Sequence, residues 1–259
     1  MSELIVPRRF RGPATSGNGG WTAGALAALV GGCPDDRSRR WPAVEVTLRK
    51  PPPLDVELPV ATTETSASCE VGEAAYVDRD LVVVESVPFD VARAAEASYP
   101  GLVSHPFPTC FSCGTGREPG DGLRIFPGQV ADSAEDAQRV AATWTPDASV
   151  AEGVLDDYPD ETRRTSLPVT WAALDCVGGW AGDLTERLMV LGRMTAQVDA
   201  LPVIGEPHVL VGQRLGAEGR KTRTAATLYD ADGRIVARAE HVWIAVDPTT
   251  FGVTSPEEG

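Results

Sequence analysis

One carboxylate stands in the most apolar stretch of the chain, Trp171–Ala172–Ala173–Leu174–Asp175–Cys176–Val177–Gly178–Gly179–Trp180. An Asp anion is costly to bury without a partner. It is tolerated when it is exposed, paired, or doing chemistry. A helix this apolar is wrapped on most sides, which argues against exposure. A satisfied core Asp and a functional Asp both remain open. Apolar neighbours push a carboxyl's pKa up unless it is hydrogen-bonded. His241 and Gln213 are candidate partners, although a strand histidine also serves plain packing.

Two further groupings could carry chemistry. Gly12 to Gly20 is a flexible loop that ends in Asn18–Gly19–Gly20–Trp21, where a helix begins. A helix N-terminus presents free backbone N–H groups, and glycine allows another molecule close. The same residues also fit an ordinary loop. The second grouping is Cys110–Phe111–Ser112–Cys113–Gly114 with His105 nearby. A closed zinc site needs four ligands, and no second cysteine pair follows at a suitable spacing. Asp121 or a partner subunit would have to complete it. The expectation is therefore a loop with two free thiols, no metal and no cofactor.

The elements that must position these residues follow from pattern. Leu4 to Phe10 fits a short edge strand, given Pro7. Trp21 to Val30 is small and apolar, with Gly31–Gly32 as its stop. Val44, Val46 and Leu48 alternate with polar residues, as in a half-buried strand. Leu54–Thr65, Ser66–Tyr76 and Leu81–Val87 read as further strands, with turns at Gly72–Glu73 and Asp78–Arg79–Asp80. Phe89 to Ser98 predicts a short helix. Residues 105–128 are rich in proline and glycine and read as a linker. Leu123–Phe126 and Arg139–Trp144 are candidate strands, and Asp156–Arg164 is polar and irregular.

Ser166 and Pro168 suit the cap and first turn of the helix that holds Asp175. Strands follow at Met189–Val198, His208–Leu215, Arg223–Tyr229 and Ile235–Val246, and Asp230–Ala231–Asp232–Gly233 is a strong hairpin signal. One plan thus occurs twice: a loop, an apolar helix, a run of antiparallel strands. Trp21 and Trp171 open the two helices, about 150 residues apart.

Composition bounds the setting. At 259 residues, the chain suffices for two domains of ordinary size, and a 42% hydrophobic fraction supplies their cores. A net charge of -14 argues against nucleic acid or an anionic membrane as the main partner. Basic clusters stand out against that background: Arg8, Arg9 and Arg11; Arg37, Arg39 and Arg40; Arg163 and Arg164; Arg220, Lys221 and Arg223. Each alone reads as solvated surface charge. No segment approaches the roughly 18 to 20 apolar residues of a membrane span. Met1–Ser2–Glu3–Leu4 lacks a basic start and an apolar signal core, so a cytoplasmic protein is expected. Five scattered cysteines suit reduced thiols.

Four stretches carry a family likeness. Asn18–Gly19–Gly20–Trp21–Thr22–Ala23–Gly24–Ala25–Leu26 resembles the glycine-led start of a hotdog helix, and Val44 to Pro51 resembles its first long strand. Ala172–Ala173–Leu174–Asp175 resembles the Ser-Leu-Asp segment that supplies the acid in the second half of double-hotdog acyl-CoA thioesterases. Leu228 to Ala237 resembles that family's last hairpin. The likeness implies an α+β fold, a tandem (double) hotdog, each unit an antiparallel sheet wrapped around a central helix. The units would span residues 1–104 and 129–259. Departures accompany the likeness. Asn18 stands where single-domain relatives often have His. Glu240–His241 holds the place of Gln and Glu-Gly, with His241 nearest the Gln position. The family's Thr falls in Gln213–Arg214–Leu215 and is unassigned.

The resemblance implies a thioesterase acting on an acyl-CoA or an acyl carrier, with water activated by Asp175. Thioester hydrolysis needs a carboxylate and donors for the developing oxyanion. The expected donors are the Gly20 and Trp21 N–H groups, with Asn18, His241 and Gln213 in supporting roles. Gly19, Trp21, Arg163, Arg164, Arg220 and Lys221 are the candidates for substrate contact. Shifting Asp175 back by the repeat lands near Ala25, which is no acid, so one site per chain is expected. Hotdog sheets commonly associate, so a homodimer or higher homo-oligomer is expected. A non-catalytic acyl-binding or scaffold protein is the alternative. A hotdog hydratase or dehydratase is disfavoured, because those enzymes resemble one another in an Asp followed five residues later by His, where Trp180 stands here.

Overall fold

The computed structural model describes residues 2–31, 42–133, 137–152 and 162–251. The expected Arg37 to Arg40 cluster, Gly32 and most of the Asp156–Arg164 stretch lie outside the described residues.

Two helices form the centre. The first, α1 (Gly19–Ala27), is capped by Asn18, whose Oδ1 accepts from Trp21 N at 2.8 Å. The second, α3 (Leu167–Ala181), is capped by Ser166, with Pro168 in its first turn, where a missing N–H costs nothing. The two helices touch through glycine. A Cβ on Gly24 would sit 2.7 Å from Trp171 Cβ and 2.8 Å from Pro168 Cα. A Cβ on Gly20 would strike Asp175 and the Trp171 carbonyl. The close approach is thus encoded one turn apart along α1.

Around the pair runs one antiparallel sheet, of 11 strands among the described residues. In chain order these are β1 (Ser2–Leu4), β2 (Val44–Leu48), β3 (Leu58–Thr62), β4 (Ser66–Cys69), β5 (Gly72–Tyr76), β6 (Gly128–Val130), β7 (Arg139–Trp144), β8 (Met189–Val198), β9 (His208–Glu218), β10 (Lys221–Tyr229) and β11 (Ile235–Ala245). The spatial order is β1-β3-β4-β5-β2-β8-β11-β10-β9-β7-β6. β2 pairs with β8, Val44 opposite Ala196 and Thr47 opposite Arg193, which makes the sheet continuous. Leu210 faces the helix pair with Leu174 and Trp171, while its neighbours Val209 and Val211 face the other side. That side is covered by α2 (Phe89–Ala95), which packs Ala92 and Ala95 onto it.

Four expectations need correction. Leu81 to Val87 forms no strand. It crosses the sheet, and side chains take its backbone groups: Val82 N donates to Glu240 Oε1, Val84 N to Thr227 Oγ1, and Tyr229 OH to Val84 O. Ser66–Tyr76 is a hairpin turning at Glu70–Val71, not at Gly72–Glu73. Gly72 is small because the Thr47 carbonyl of β2 occupies the space of a Cβ. Leu123–Phe126 is not a ladder strand; Leu123 N and Ile125 N donate to Phe111 O and Ser112 O at 2.8 and 3.0 Å. The edge strand near the N-terminus is shorter than Leu4–Phe10 suggested, since Arg8–Phe10 forms a 3-10 turn. The segment 105–128 is also far from loose: Cys110, Phe111, Ser112, Cys113 and Ile125 are buried, and Ser112 Oγ donates to Ala172 O of α3 at 2.7 Å. Among the described residues no helix is long and apolar enough to cross a membrane.

Candidate functional site

Asp175 is 2% exposed and lies against the first turn of α1. Its Oδ2 accepts from Gly20 N at 2.9 Å and from Asn18 Nδ2 at 3.0 Å. Its Oδ1 is buried and has no hydrogen-bond partner among the described residues. Burial pushes the carboxyl up to about 7, with the nearby Cys110 adding to the shift; the Gly20 N–H and the Asn18 amide pull the other way. A carboxyl so placed can exchange a proton with water near neutrality.

The two backbone donors expected for an oxyanion are both engaged. Gly20 N–H goes to Asp175, and Trp21 N–H goes to the Asn18 side chain. The reason is capping: an N-cap side chain satisfies the third N–H, and the acid of the facing helix takes the second. Gly19 N–H, the first of the helix, has no hydrogen-bond partner among the described residues.

A cavity of about 360 Å³ opens beside these groups. Asn18, Gly19, Asp175, Cys176, Met189 and Trp243 are among its lining residues, and Arg49 and Lys50 are also there. This size lies within the range of small-molecule sites. The lining is mostly apolar, with a few polar groups gathered at the α1 end.

Three thiols adjoin the carboxylate. Cys110, Cys113 and Cys176 are buried, and their sulfurs lie within 4.8 Å of one another. Cys110 Sγ is 3.6 Å from Cys176 Sγ and 3.7 Å from Asn18 Nδ2. Hydrogen bonds from Cys113 and Cys176 pull Cys110 well below the ordinary thiol range. Burial pushes Cys113 up, and hydrogen bonding to Cys110 pushes Cys176 up. Cys176 was not recognised as a companion of the Cys110 pair because 66 residues separate it from Cys110. The expectation of a metal-free loop rested on the lack of a full set of four ligands; α3 brings a third thiol to the pair, one short of that set.

The other candidates lie elsewhere. His241, on β11, faces Gly178 of α3, and its Nδ1 lies 3.3 Å from Thr224 Oγ1. It makes no hydrogen bond with Asp175, whose partners are Gly20 and Asn18. Gln213 sits in mid-sheet opposite Ala225 and Arg139. Trp21 stacks on Phe10 at 4.4 Å between ring centroids. Arg163 reaches the Ala148 carbonyl, Arg164 the Leu201 carbonyl and Arg220 the Ala245 carbonyl, while Lys221 is exposed. None of these seven lines the cavity. Arg49 and Lys50, at the end of β2, are the basic residues that do. Their only sequence signal is that they close a strand just before Pro51.

No family model and no curated protein matches the sequence. Solved structures do match in fold. A protein of unknown function with a hot dog fold from Alicyclobacillus acidocaldarius superposes with a TM-score of 0.56 at 14% identity, covering 95% of this chain and 93% of that one. A candidate thioesterase II from Thermobifida fusca gives 0.54 at 14% identity, covering 95% and 92%. The tesB protein of Mycobacterium avium subs paratuberculosis gives 0.53 at 12% identity, covering 91% and 89%. The chain has the hotdog fold.

Proposed function

We propose that this chain is a cytoplasmic thioester hydrolase acting on an acyl-CoA or acyl-carrier substrate. It is read as two hotdog units in tandem, residues 1–104 and 129–259, with 105–128 between them, and as associating further into a homodimer or larger homo-oligomer. The observation that carries this reading is Asp175. It is a buried carboxylate at a cavity wall, tied by Oδ2 to the first turn of α1, with Oδ1 unbonded.

In this reading a water held by Asp175 Oδ1 attacks the thioester carbonyl carbon. The carboxylate takes the water's proton as the new C–O bond forms. The oxyanion is received by Gly19 N–H, backed by the helix N-terminus. The C–S bond then breaks, and the thiolate leaves with the proton that Asp175 held. Arg49 and Lys50 supply positive charge for an anionic carrier.

One observation favours a second reading, a non-catalytic acyl-ligand-binding or scaffold protein: Gly20 and Trp21 N–H are already occupied. Free-thiol release from a panel of acyl-CoA esters of graded chain length separates the two. The hydrolase reading expects turnover of at least one ester by the native protein and its loss in Asp175→Asn. Binding of acyl-CoA without turnover of any ester supports the second reading.

A further inference from the structure

The thiol trio has no role in the hydrolysis outlined above, yet it is among the most organised clusters in the molecule. Its three sulfurs come from two separate elements, a tight turn and α3. The turn is shaped around them. Cys110 N donates to Phe107 O and Gly114 N to Cys110 O, both at 2.9 Å. Any side chain at Gly114 would meet the Cys110 and Pro108 carbonyls at 2.5 Å, so only glycine closes the turn. Ser112 fastens the turn to α3 through Ala172 O. A turn of fixed shape, pinned by a second element, holds its sulfurs as metal ligands must be held.

The spacing suits a metal. Zinc binds thiolate at about 2.3 Å, so two sulfurs on a tetrahedral ion stand about 3.8 Å apart. Cys110 and Cys176 stand 3.6 Å apart. Thiols alone are weak hydrogen-bonding groups, and a buried set of three has little else to hold it together. His105 adjoins the trio: its Nε2 lies 3.4 Å from Cys113 Sγ and 3.1 Å from the Cys113 carbonyl. Its Nδ1 accepts from Phe107 N at 2.9 Å, which leaves the ring proton on Nε2, so that nitrogen has no lone pair for a metal in this arrangement. All three cysteines line the cavity, so a water from it can fill the remaining position.

We propose that Cys110, Cys113 and Cys176 bind one zinc ion per chain, with the fourth coordination position open to the cavity. The proposal does not depend on hydrolysis, since metal content is read without turnover. It is tested on the full chain, expressed without a metal-binding tag and purified in reductant with no added metal. Elemental analysis should give about one zinc per chain in the native protein and in Cys69→Ser, whose half-buried thiol lies outside the trio. Cys113→Ser and Cys176→Ser should fall below about a tenth of that. Should either variant fail to fold, the native protein decides. After chelation and addition of Co²⁺, it should show sulfur-to-cobalt charge-transfer absorption of a strength that fits three thiolates, together with tetrahedral d–d bands. Unchanged zinc in a folded Cys176→Ser protein would overturn the proposal. So would a fully reduced native protein that takes up neither Zn²⁺ nor Co²⁺, or a Cys110–Cys176 disulfide in protein handled without air.

Discussion

At the N-terminus of α1, Asn18 supplies the cap, two glycines follow, and the first turn lines a cavity. At the N-terminus of α3, Ser166 supplies a longer cap bond, 3.4 Å to Val169 N, and Leu167 and Pro168 follow. Thr165 and Thr170 there close on each other, their hydroxyls 3.0 Å apart. None of residues 165–170 lines the cavity. The facing residues differ in the same sense. The α1 end meets Asp175, the ninth residue of α3, whereas the ninth residue of α1 is Ala27. Counted from the helix starts, the counterpart of Asp175 is thus Ala27 and not Ala25, and neither carries an acid. One end combines open space, a free N–H and a carboxylate; the other has Leu167 and Pro168 in its first turn and lines none of that cavity. Two similar helix ends thus differ in what each can do.

Four substitution tests break or sharpen that contrast. Removing the acid should have the largest effect. Asp175→Asn keeps the shape and an acceptor for Gly20 N–H but loses the base, so turnover should fall by about 10²- to 10⁴-fold with an unchanged circular dichroism spectrum. Near-normal turnover in folded protein would end the contrast as a functional one.

The caps come next. Asn18→Ala should lower turnover by about 10- to 1000-fold if it orients the acid and the first turn. Ser166→Ala should cost only about 1 kcal/mol of stability and leave turnover per folded molecule alone. Equal effects on turnover from both would show that the two ends are not distinct.

The side of α3 where β11 packs on Gly178 should respond to pH and not to substrate. Burial holds His241 down to about 4 from an ordinary 6.5, and its Nε2 has no hydrogen-bond partner among the described residues. The folded form therefore keeps the ring neutral while the unfolded chain takes up a proton. Stability from this group is present above about pH 6.5 and is lost as pH falls towards 4, by up to about 3 kcal/mol at 1.36 kcal/mol per unit. Asp175, raised to about 7, acts in the opposite sense over the same window, so in urea unfolding His241→Leu should lose less stability than the native protein as pH falls from about 6.5 to about 4. An unaltered pH slope would show that the ring does not titrate in this way.

The glycine contacts give the smallest contrast. Gly20→Ala and Gly24→Ala should each cost about 1–3 kcal/mol by overpacking, read as a lower urea midpoint. Only Gly20→Ala should also depress turnover per folded molecule, because its methyl group would displace Asp175. A loss of turnover in Gly24→Ala as large as that in Gly20→Ala would show that the site senses helix spacing alone.

Much of this was written along the chain. β8 has the bounds Met189–Val198 that the sequence predicts. Ser166 and Pro168 mark the start of α3, and Asn18 marks that of α1, because caps and first-turn prolines act over only a few residues. Asp175 stood out as a charge in an apolar helix for the same local reason. Contacts between distant residues were not legible. Leu81–Val87 has the composition of a strand, but Thr227, Tyr229 and Glu240 take its backbone groups across the sheet. Cys176 joins Cys110 and Cys113 only because α3 packs over their turn. Asp175 takes the Gly20 N–H only because glycine lets α1 come that close. Local sequence determines where a helix starts and which face it buries; which donor, thiol or carboxylate it then meets depends on chain closure over separations such as 66 residues for the thiols and 155 for the carboxylate, and only the tertiary packing decides that.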